Sequence, residues 1–278
     1  MELDAQGASD VGQRREINQD YFYVDNTRGL FIVCDGVGGH AAGEVASHKA
    51  IEFTIEYLDN HWSEVESAGK NPTGYYKLTQ LIERAIHKTC KRIKAIAEET
   101  PEFKGMATTL TLLLIVDGNA IVGHVGDSRL YLKRNKEVFQ LTTDHTLFNE
   151  MVNAYETVDL DSIKKFAHCL TRSVGNNADV AVETLMFEAR QHDVLLLCTD
   201  GLSNYFDDDT VVAGMLSGRN VNVIADSLVK FANDSGGSDN VTALVIRVVD
   251  VEDFSVNAHR IRLDLTEEKI SQDTPSSS

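Results

Sequence analysis

The 278-residue chain is short of basic side chains: 26 lysines and arginines stand against 43 aspartates and glutamates, a formal net charge of -17. A surface that follows a phosphate backbone or an anionic membrane carries the opposite balance, because both are bound mainly through Lys and Arg. Excess acid is first of all an ordinary means of staying soluble, and a metal-loaded acidic cleft fits the same count. No run approaches the ~18 apolar residues of a membrane span, and Met1-Glu2-Leu3-Asp4 has neither the basic start nor the apolar stretch of a secretory leader. The four cysteines, Cys34, Cys90, Cys169 and Cys198, form no CxxC pair and have no histidine at zinc-ligand spacing. They read as core thiols of a reducing compartment, so the chain is expected in the cytoplasm. An internal repeat and a nucleophilic Cys or Ser motif are also missing.

What is present is a 42% hydrophobic content, ample for a core, distributed in clear periods. Tyr21-Phe22-Tyr23-Val24 and residues 30–34, with the turn-rich Asp25-Asn26-Thr27-Arg28-Gly29 between them, read as a hairpin. Helical spacing runs over 42–60, breaks at 70–72 and resumes over 75–99. Strands return at 108–116, 120–125, 129–133 and 138–141. The charged segment 145–167 reads as an insertion over the sheet edge, and residues 148–169 contain neither glycine nor proline. Strands at 180–187 and 194–198, helices at 207–216 and 221–233, and a strand at 240–249 complete the pattern. This order favours an α+β sandwich over the strict alternation of a doubly wound parallel sheet. One domain is expected over 1–253, with a flap-like insertion at 145–169 and a partly disordered C-terminal extension at 254–278.

Four acids mark strand ends. Asp35 closes the first apolar hairpin and opens Gly36-Val37-Gly38-Gly39-His40; Asp127 follows Ala120-Ile121-Val122; Asp200 follows residues 194–198; Asp239 precedes residues 241–246. A carboxylate beside bare backbone carbonyls is a ready place for a hard divalent cation. Acids this far apart in sequence meet only if strand ends converge, and they repel one another unless cations join them. All-oxygen ligation points to Mg²⁺ or Mn²⁺ rather than zinc. Two such ions about 3.5 to 4 Å apart bridge a water, lower its pKa and supply hydroxide for in-line attack on phosphorus. Arg15 offers a bidentate grip on phosphate oxygens, and Asp20 a metal ligand, direct or through water. A surface arginine and a strand-flanking acid are the plain alternatives for those two. Asp117-Gly118-Asn119 is the internal contrast, the same dipeptide used as a tight hairpin turn.

In order along the chain stand Arg15-x-x-Asn18-Gln19-Asp20, Asp35-Gly36-Val37-Gly38-Gly39-His40-Ala41-Ala42-Gly43-Glu44, Gly126-Asp127-Ser128-Arg129, Leu170-Thr171-Arg172, Thr199-Asp200-Gly201-Leu202 and Ser238-Asp239-Asn240-Val241-Thr242. Over residues 5–250 this series resembles the metal-dependent PP2C-type (PPM) protein serine/threonine phosphatases in their compact bacterial form. The resemblance implies a four-layer αββα sandwich, two antiparallel sheets flanked by helix pairs, with the metal centre at one end. It implies that Asp35 bridges two core Mn²⁺ or Mg²⁺ ions, that the Gly36 carbonyl completes one, and that Asp200 with Asp239 holds the other. Asp20 and Gln19 would orient waters on the metals, Asp127 with Asp200 would hold a third, weaker ion, and Arg15 would clamp the phosphate. His40 is either the general acid for the departing alkoxide or a cap on the following helix; the better-known family form has its histidine directly after Asp-Gly, where this chain has Val37.

The implied activity is hydrolysis of phosphoserine and phosphothreonine in proteins by a water or hydroxide bridging the two ions. The implied setting is signalling, by a monomer acting on substrates of a serine/threonine kinase, with no nucleic-acid or membrane partner. Gln19 replaces a glutamate common in the family, and the 148–169 segment departs from the usual flap. Glu44, Ser128, Arg129, His145, Thr171, Arg172 and Asn240 read as supports of the surrounding loops. A two-metal nuclease or phosphodiesterase calls for a basic groove, and a catalytically silent phosphoprotein binder for loss of a metal acid. Neither feature is found in this sequence.

Overall fold

Residues 30–34 run Leu-Phe-Ile-Val-Cys without a polar member, and all five are buried. A strand with two apolar faces must be covered on both sides, which a two-sheet sandwich with outer helices provides. The computed structural model describes residues 1–38, 41–68, 73–155, 159–206, 208–218 and 220–250. His40 and the expected extension at 254–278 therefore lie outside the described residues.

The order of elements is β1 (Glu2–Asp10), β2 (Asp20–Asp25), β3 (Leu30–Val37), α1 (Ala41–Asn60), α2 (Trp62–Ala68), α3 (Gly74–Glu99), β4 (Ala107–Thr108), β5 (Leu110–Val116), β6 (Asn119–Val125), β7 (Arg129–Arg134) and β8 (Glu137–Gln140). Then come α4 (Leu147–Ala154), α5 (Leu160–Ile163), β9 (Glu183–Glu188), β10 (Val194–Cys198), α6 (Asp200–Ser203), α7 (Asp209–Met215), α8 (Val221–Asp234) and β11 (Val241–Asp250). One sheet runs β1-β11-β10-β7-β8 and the other β2-β3-β5-β6-β9, with β4 paired to β3; the neighbouring strands pair antiparallel.

Three apolar layers follow from the strand period of two. Phe31, Val33, Leu113, Val122, Leu195, Leu197, Leu244 and Ile246 fill the space between the sheets. Leu30, Ile32, Cys34, Leu112 and Leu114 face α1 and α3, where Ala46, Ala50, Leu78, Ile82 and Ile86 meet them. Leu196, Cys198, Ala243 and Val245 face α8 through Ile224, Ala225 and Leu228. The four-layer α+β sandwich implied by the sequence is the architecture found.

The Asp117-Gly118 turn has positive φ at both residues, 47° and 78°, and joins β5 to β6 with Val116 opposite Asn119. That is the geometry of a two-residue hairpin loop. Three elements were not delimited by the pattern. β1 alternates polar with small residues and pairs along its length with β11; its Gly7 leaves room for the Phe22 ring, which a Cβ would meet at 2.2 Å. The short helices α2 and α6 carry too few residues for a period to show. Cys34, Cys90 and Cys198 are buried thiols as expected, whereas Cys169 is exposed, because it lies in the 145–169 segment and not in a strand.

Candidate metal centre

Antiparallel pairing brings the acids to one end of the sandwich. Asp20 opens β2 directly opposite Asp35 near the end of β3. Asp127 lies in the turn from β6 to β7, Asp200 follows β10, and Asp239 precedes β11, so each sits at the end where these antiparallel strands meet. Backbone contacts too tight for side chains draw the loops together. A Cβ on Gly36 would meet the Gly43 carbonyl at 2.1 Å, and one on Gly201 the Asn240 carbonyl at 1.9 Å.

Threonines fix the acids. Asp35 donates its N–H to the Thr109 hydroxyl at 2.8 Å, and its carbonyl accepts the Thr108 hydroxyl at 2.8 Å and the Thr109 N–H at 2.9 Å. The Thr109 hydroxyl also meets that of Ser128 at 2.8 Å, which joins the Asp35 strand to the Asp127 turn. Oδ2 of Asp20 accepts the hydroxyls of Thr199 and Thr242, each at 2.8 Å. Thr199 and Thr242 stood in the sequence motifs without a role, and Thr108 and Thr109 were missed. Thr199 beside Asp200 and Ser128 beside Asp127 offered a signal, a hydroxyl next to an acid, whereas Thr108 and Thr109 adjoin no acid and had none.

Oδ1 of Asp20 is buried and has no hydrogen-bond partner. Burial first, then Asp200 and Asp239, push this carboxyl up to about 7 against the pull of the two threonines. Asp35 is driven well above the carboxylate range by close packing and then by Asp20, Asp200, Asp127 and Asp239. Asp127 rises to about 7, through burial and then Asp200 and Asp144. Against these acids stands Arg15, which donates from Nε to Oδ1 and from Nη2 to Oδ2 of Asp239, both at 2.8 Å. It is half exposed, and its loop is pressed onto Asp239 at Gly12, where a Cβ would lie 2.2 Å from the Asp239 carbonyl. An orphaned buried oxygen, carboxyls raised by burial and by neighbouring acids, and an all-oxygen donor set fit divalent cations.

Beside this end, the described residues of the 145–169 segment include α4 and α5, and a bridge between Thr146 and Leu170 closes its base. Phe148, Asn149 and His168 face Asp127, Asp200 and Asn204 across a cavity of ≈ 140 Å³. His168 approaches Asp200 at 3.6 Å, and this contact raises its pKa. Sequence reasoning passed over His168, since it belongs to the stretch that departs from the flap pattern. Arg129 is committed to Asp144 through three hydrogen bonds of 2.7 to 3.1 Å, the supporting role expected of it. Asn240 orients Asp239 through its backbone N–H at 2.8 Å, while its side chain ties down Val11, Ile17 and Gln19.

A second cluster is more compact. Among the described residues, the group of three metal-capable side chains with ligand atoms all within 4.8 Å of one another is His124, His145 and Glu183. Its nitrogens are already engaged. His124 meets the Thr111 hydroxyl at 2.9 Å and the Thr143 carbonyl at 3.2 Å; His145 meets the Gly126 N–H at 3.1 Å and Glu183 at 3.3 Å. A guanidinium nitrogen of Arg172 lies 3.2 Å from Nε2 of His145, where it opposes a second cation.

Residues 9–231 match the family model for protein phosphatase 2C. The chain belongs to that family. It is similar to protein phosphatase PhpP of Streptococcus pneumoniae, 31% identical over 243 residues that cover 86% of this chain and 94% of the relative. The serine/threonine phosphatase stp of Listeria monocytogenes is 31% identical over 248 residues, 88% and 95% of the two chains. Among solved phosphatases, the Mycobacterium tuberculosis serine/threonine phosphatase PstP/Ppp superposes with a TM-score of 0.76 at 31% identity, over 90% of this chain and 100% of its own. The catalytic domain of PstP in complex with two manganese ions gives a TM-score of 0.75 at 34% identity, over 90% and 99%. The protein phosphatase 2C fold therefore accounts for both sheets and for the end at which the acids meet.

Proposed function

We propose that Asp35, the Gly36 carbonyl, Asp200 and Asp239 hold two divalent ions, that Asp127 with Asp200 holds a third, and that Arg15 clamps the substrate phosphate. Family membership makes the chain a metal-dependent serine/threonine protein phosphatase with Mn²⁺ or Mg²⁺ as cofactor and phosphoproteins as substrates. The observation that supports the residue assignment is the raised, mutually repelling set of carboxyls at one end of the sandwich. Bound there, two divalent ions supply Lewis acidity and a nucleophile near neutral pH for in-line attack on phosphorus.

The chain's own residues supply positioning. Thr108 and Thr109 hold Asp35, and Thr199 and Thr242 hold Asp20, which acts from the buried layer on the ions or their waters. Arg15 is exposed enough to turn from Asp239 to a phosphate, and its fork suits either oxygen pair. His40 carries over with two roles, proton donor to the leaving alkoxide or cap on α1. Three buried free thiols support a reducing, cytoplasmic setting, in which a monomer would oppose a serine/threonine kinase. No described helix is long and apolar enough to cross a membrane.

The test is hydrolysis of a phosphothreonine peptide with Mn²⁺, with chelator, and with Asp239→Asn. Activity should vanish in chelator and return with Mn²⁺. Activity indifferent to Asp239 would sink the assignment.

A further inference from the structure

Gly126 is gripped at both of its polar groups by a single residue. Its N–H donates to Nδ1 of His145 at 3.1 Å, and its carbonyl accepts the His145 N–H at 2.7 Å. Gly126 has a φ of 114°, and a Cβ there would meet Cγ2 of Thr109 at 2.5 Å, so the turn is confined on its third side as well. The next residue is Asp127. With the peptide before it fixed in this way, the carboxylate has little backbone freedom left, and its direction follows from where His145 stands.

The His145 ring is itself fixed. Nδ1 accepts from Gly126, and Nε2 lies 3.3 Å from Oε2 of Glu183 on β9 and 3.2 Å from a guanidinium nitrogen of Arg172. Burial alone would raise Glu183, yet the bond from His145 and the nearby imidazoles hold it below its usual range, as an acceptor must be. The ring stacks on His124 with centroids 4.8 Å apart. The His145 carbonyl accepts the Thr171 N–H at 2.9 Å, which ties the same residue to the chain that closes the 145–169 segment. His145 is 5% exposed and does not line the cavity beside Asp127, so it reaches the reaction through Gly126 and not by touching substrate.

We propose that His145, oriented by Glu183, is the positioning residue that aims Asp127 at the outer divalent ion. The proposal rests on the reading that Asp127 is a ligand of that ion. Residues that orient a ligand are worth about 10- to 100-fold in metal affinity, and His145 orients one through the main chain.

The test is a calorimetric Mn²⁺ titration of the wild type, Asp127→Asn, His145→Ala, His145→Asn and His145→Gln, each with a thermal melt. Asn places an amide oxygen close to the position of Nδ1, where it can accept from Gly126; the Gln amide reaches past it. Asp127→Asn should remove the weakest binding step. His145→Ala and His145→Gln should weaken that step about tenfold and leave the tighter steps within about twofold, while His145→Asn recovers most of the loss. If His145→Ala does not fold, the Asn and Gln pair still decides, because both keep a neutral amide and differ in where its oxygen falls. A weak step lost in Asp127→Asn but intact in His145→Gln would overturn the positioning role and leave the Asp127 reading standing, as would an equal loss at every step. A weak step that survives in Asp127→Asn would remove both.

Discussion

The two clusters of ionisable groups meet at Gly126 and are built on opposite rules. Around His124, His145 and Glu183 each ring nitrogen has a partner from the protein, and Glu183 sits below its usual pKa. Around Asp20, Asp35 and Asp127 burial first and then neighbouring aspartates lift the carboxyl pKa, and a buried oxygen of Asp20 has no partner. Compactness alone would select the first as a metal site. Charge compensation selects the second, because a buried group left wanting is a cost the fold retains where a ligand makes it good.

Replacing an acid should thus separate stability from activity. Asp35→Asn is expected to lower kcat/KM about a thousandfold or more, since the ions contribute several kcal/mol to the transition state. In chelator the same variant should melt higher, by about 2 to 4 °C for each kcal/mol of repulsion relieved. Thr111→Val should do the reverse: it removes the hydroxyl between His124 and the Ser128 carbonyl, costs about 1 to 3 kcal/mol of buried hydrogen bonding, and spares turnover. If both variants melt lower, the distinction between the clusters fails. His40→Ala comes next in size. As general acid, its loss should slow a phosphothreonine peptide by about a hundredfold more than a nitrophenyl phosphate, whose leaving group needs no proton. Equal slowing of the two substrates assigns it to capping α1.

Much of this contrast was legible before the fold was known, and the part that was not has a physical reason. Asp35, Asp127 and Asp200 each followed an apolar run and Asp239 preceded one, so strand ends and acids declared themselves together. The order of strands and helices then favoured a sandwich, and antiparallel pairing put those ends on one side. β1 stayed hidden because an edge strand of polar and small residues has little period of its own and depends on β11. His124 and Glu183 stayed hidden because their meaning lies in being opposite one another on β6 and β9, a register that sequence spacing does not carry. His168 was lost where the chain left the family pattern.

Arg15 gives a smaller effect with two signs. It should contribute about tenfold to the KM of a phosphopeptide through charge-assisted bonds to phosphate. Its present partner is Asp239, and an exposed pair of this kind is worth about 1 kcal/mol at most. Arg15→Ala should therefore raise KM while tightening Mn²⁺ binding by up to about fivefold, as Asp239 is released to the metal. Calorimetry without phosphate reads the second effect directly. Weaker Mn²⁺ binding in that variant would mean that the pair preorganises Asp239 and does not compete for it.

The gentlest test is the slope of stability with pH in chelator. Asp20 and Asp127 titrate at about 7 in the fold against 3.8 for an ordinary aspartate, and Asp35 is raised further in the same direction. The folded state therefore binds more protons than the unfolded chain across that window, so stability is present at its acid end and is lost as pH rises through about 7. His168, raised by Asp200, adds to this slope. His124 opposes it, because burial and then His145 lower it from 6.5 to about 4, and it favours the fold as pH rises. Three acids and His168 outweigh one imidazole, so the chelated protein should melt lower at about pH 8 than at about pH 6, and the gain from Mn²⁺ should widen with pH as the cation takes the place of protons. A chelated protein that grows more stable over this range would show that the satisfied cluster governs the titration and that the acids are already compensated from within the chain.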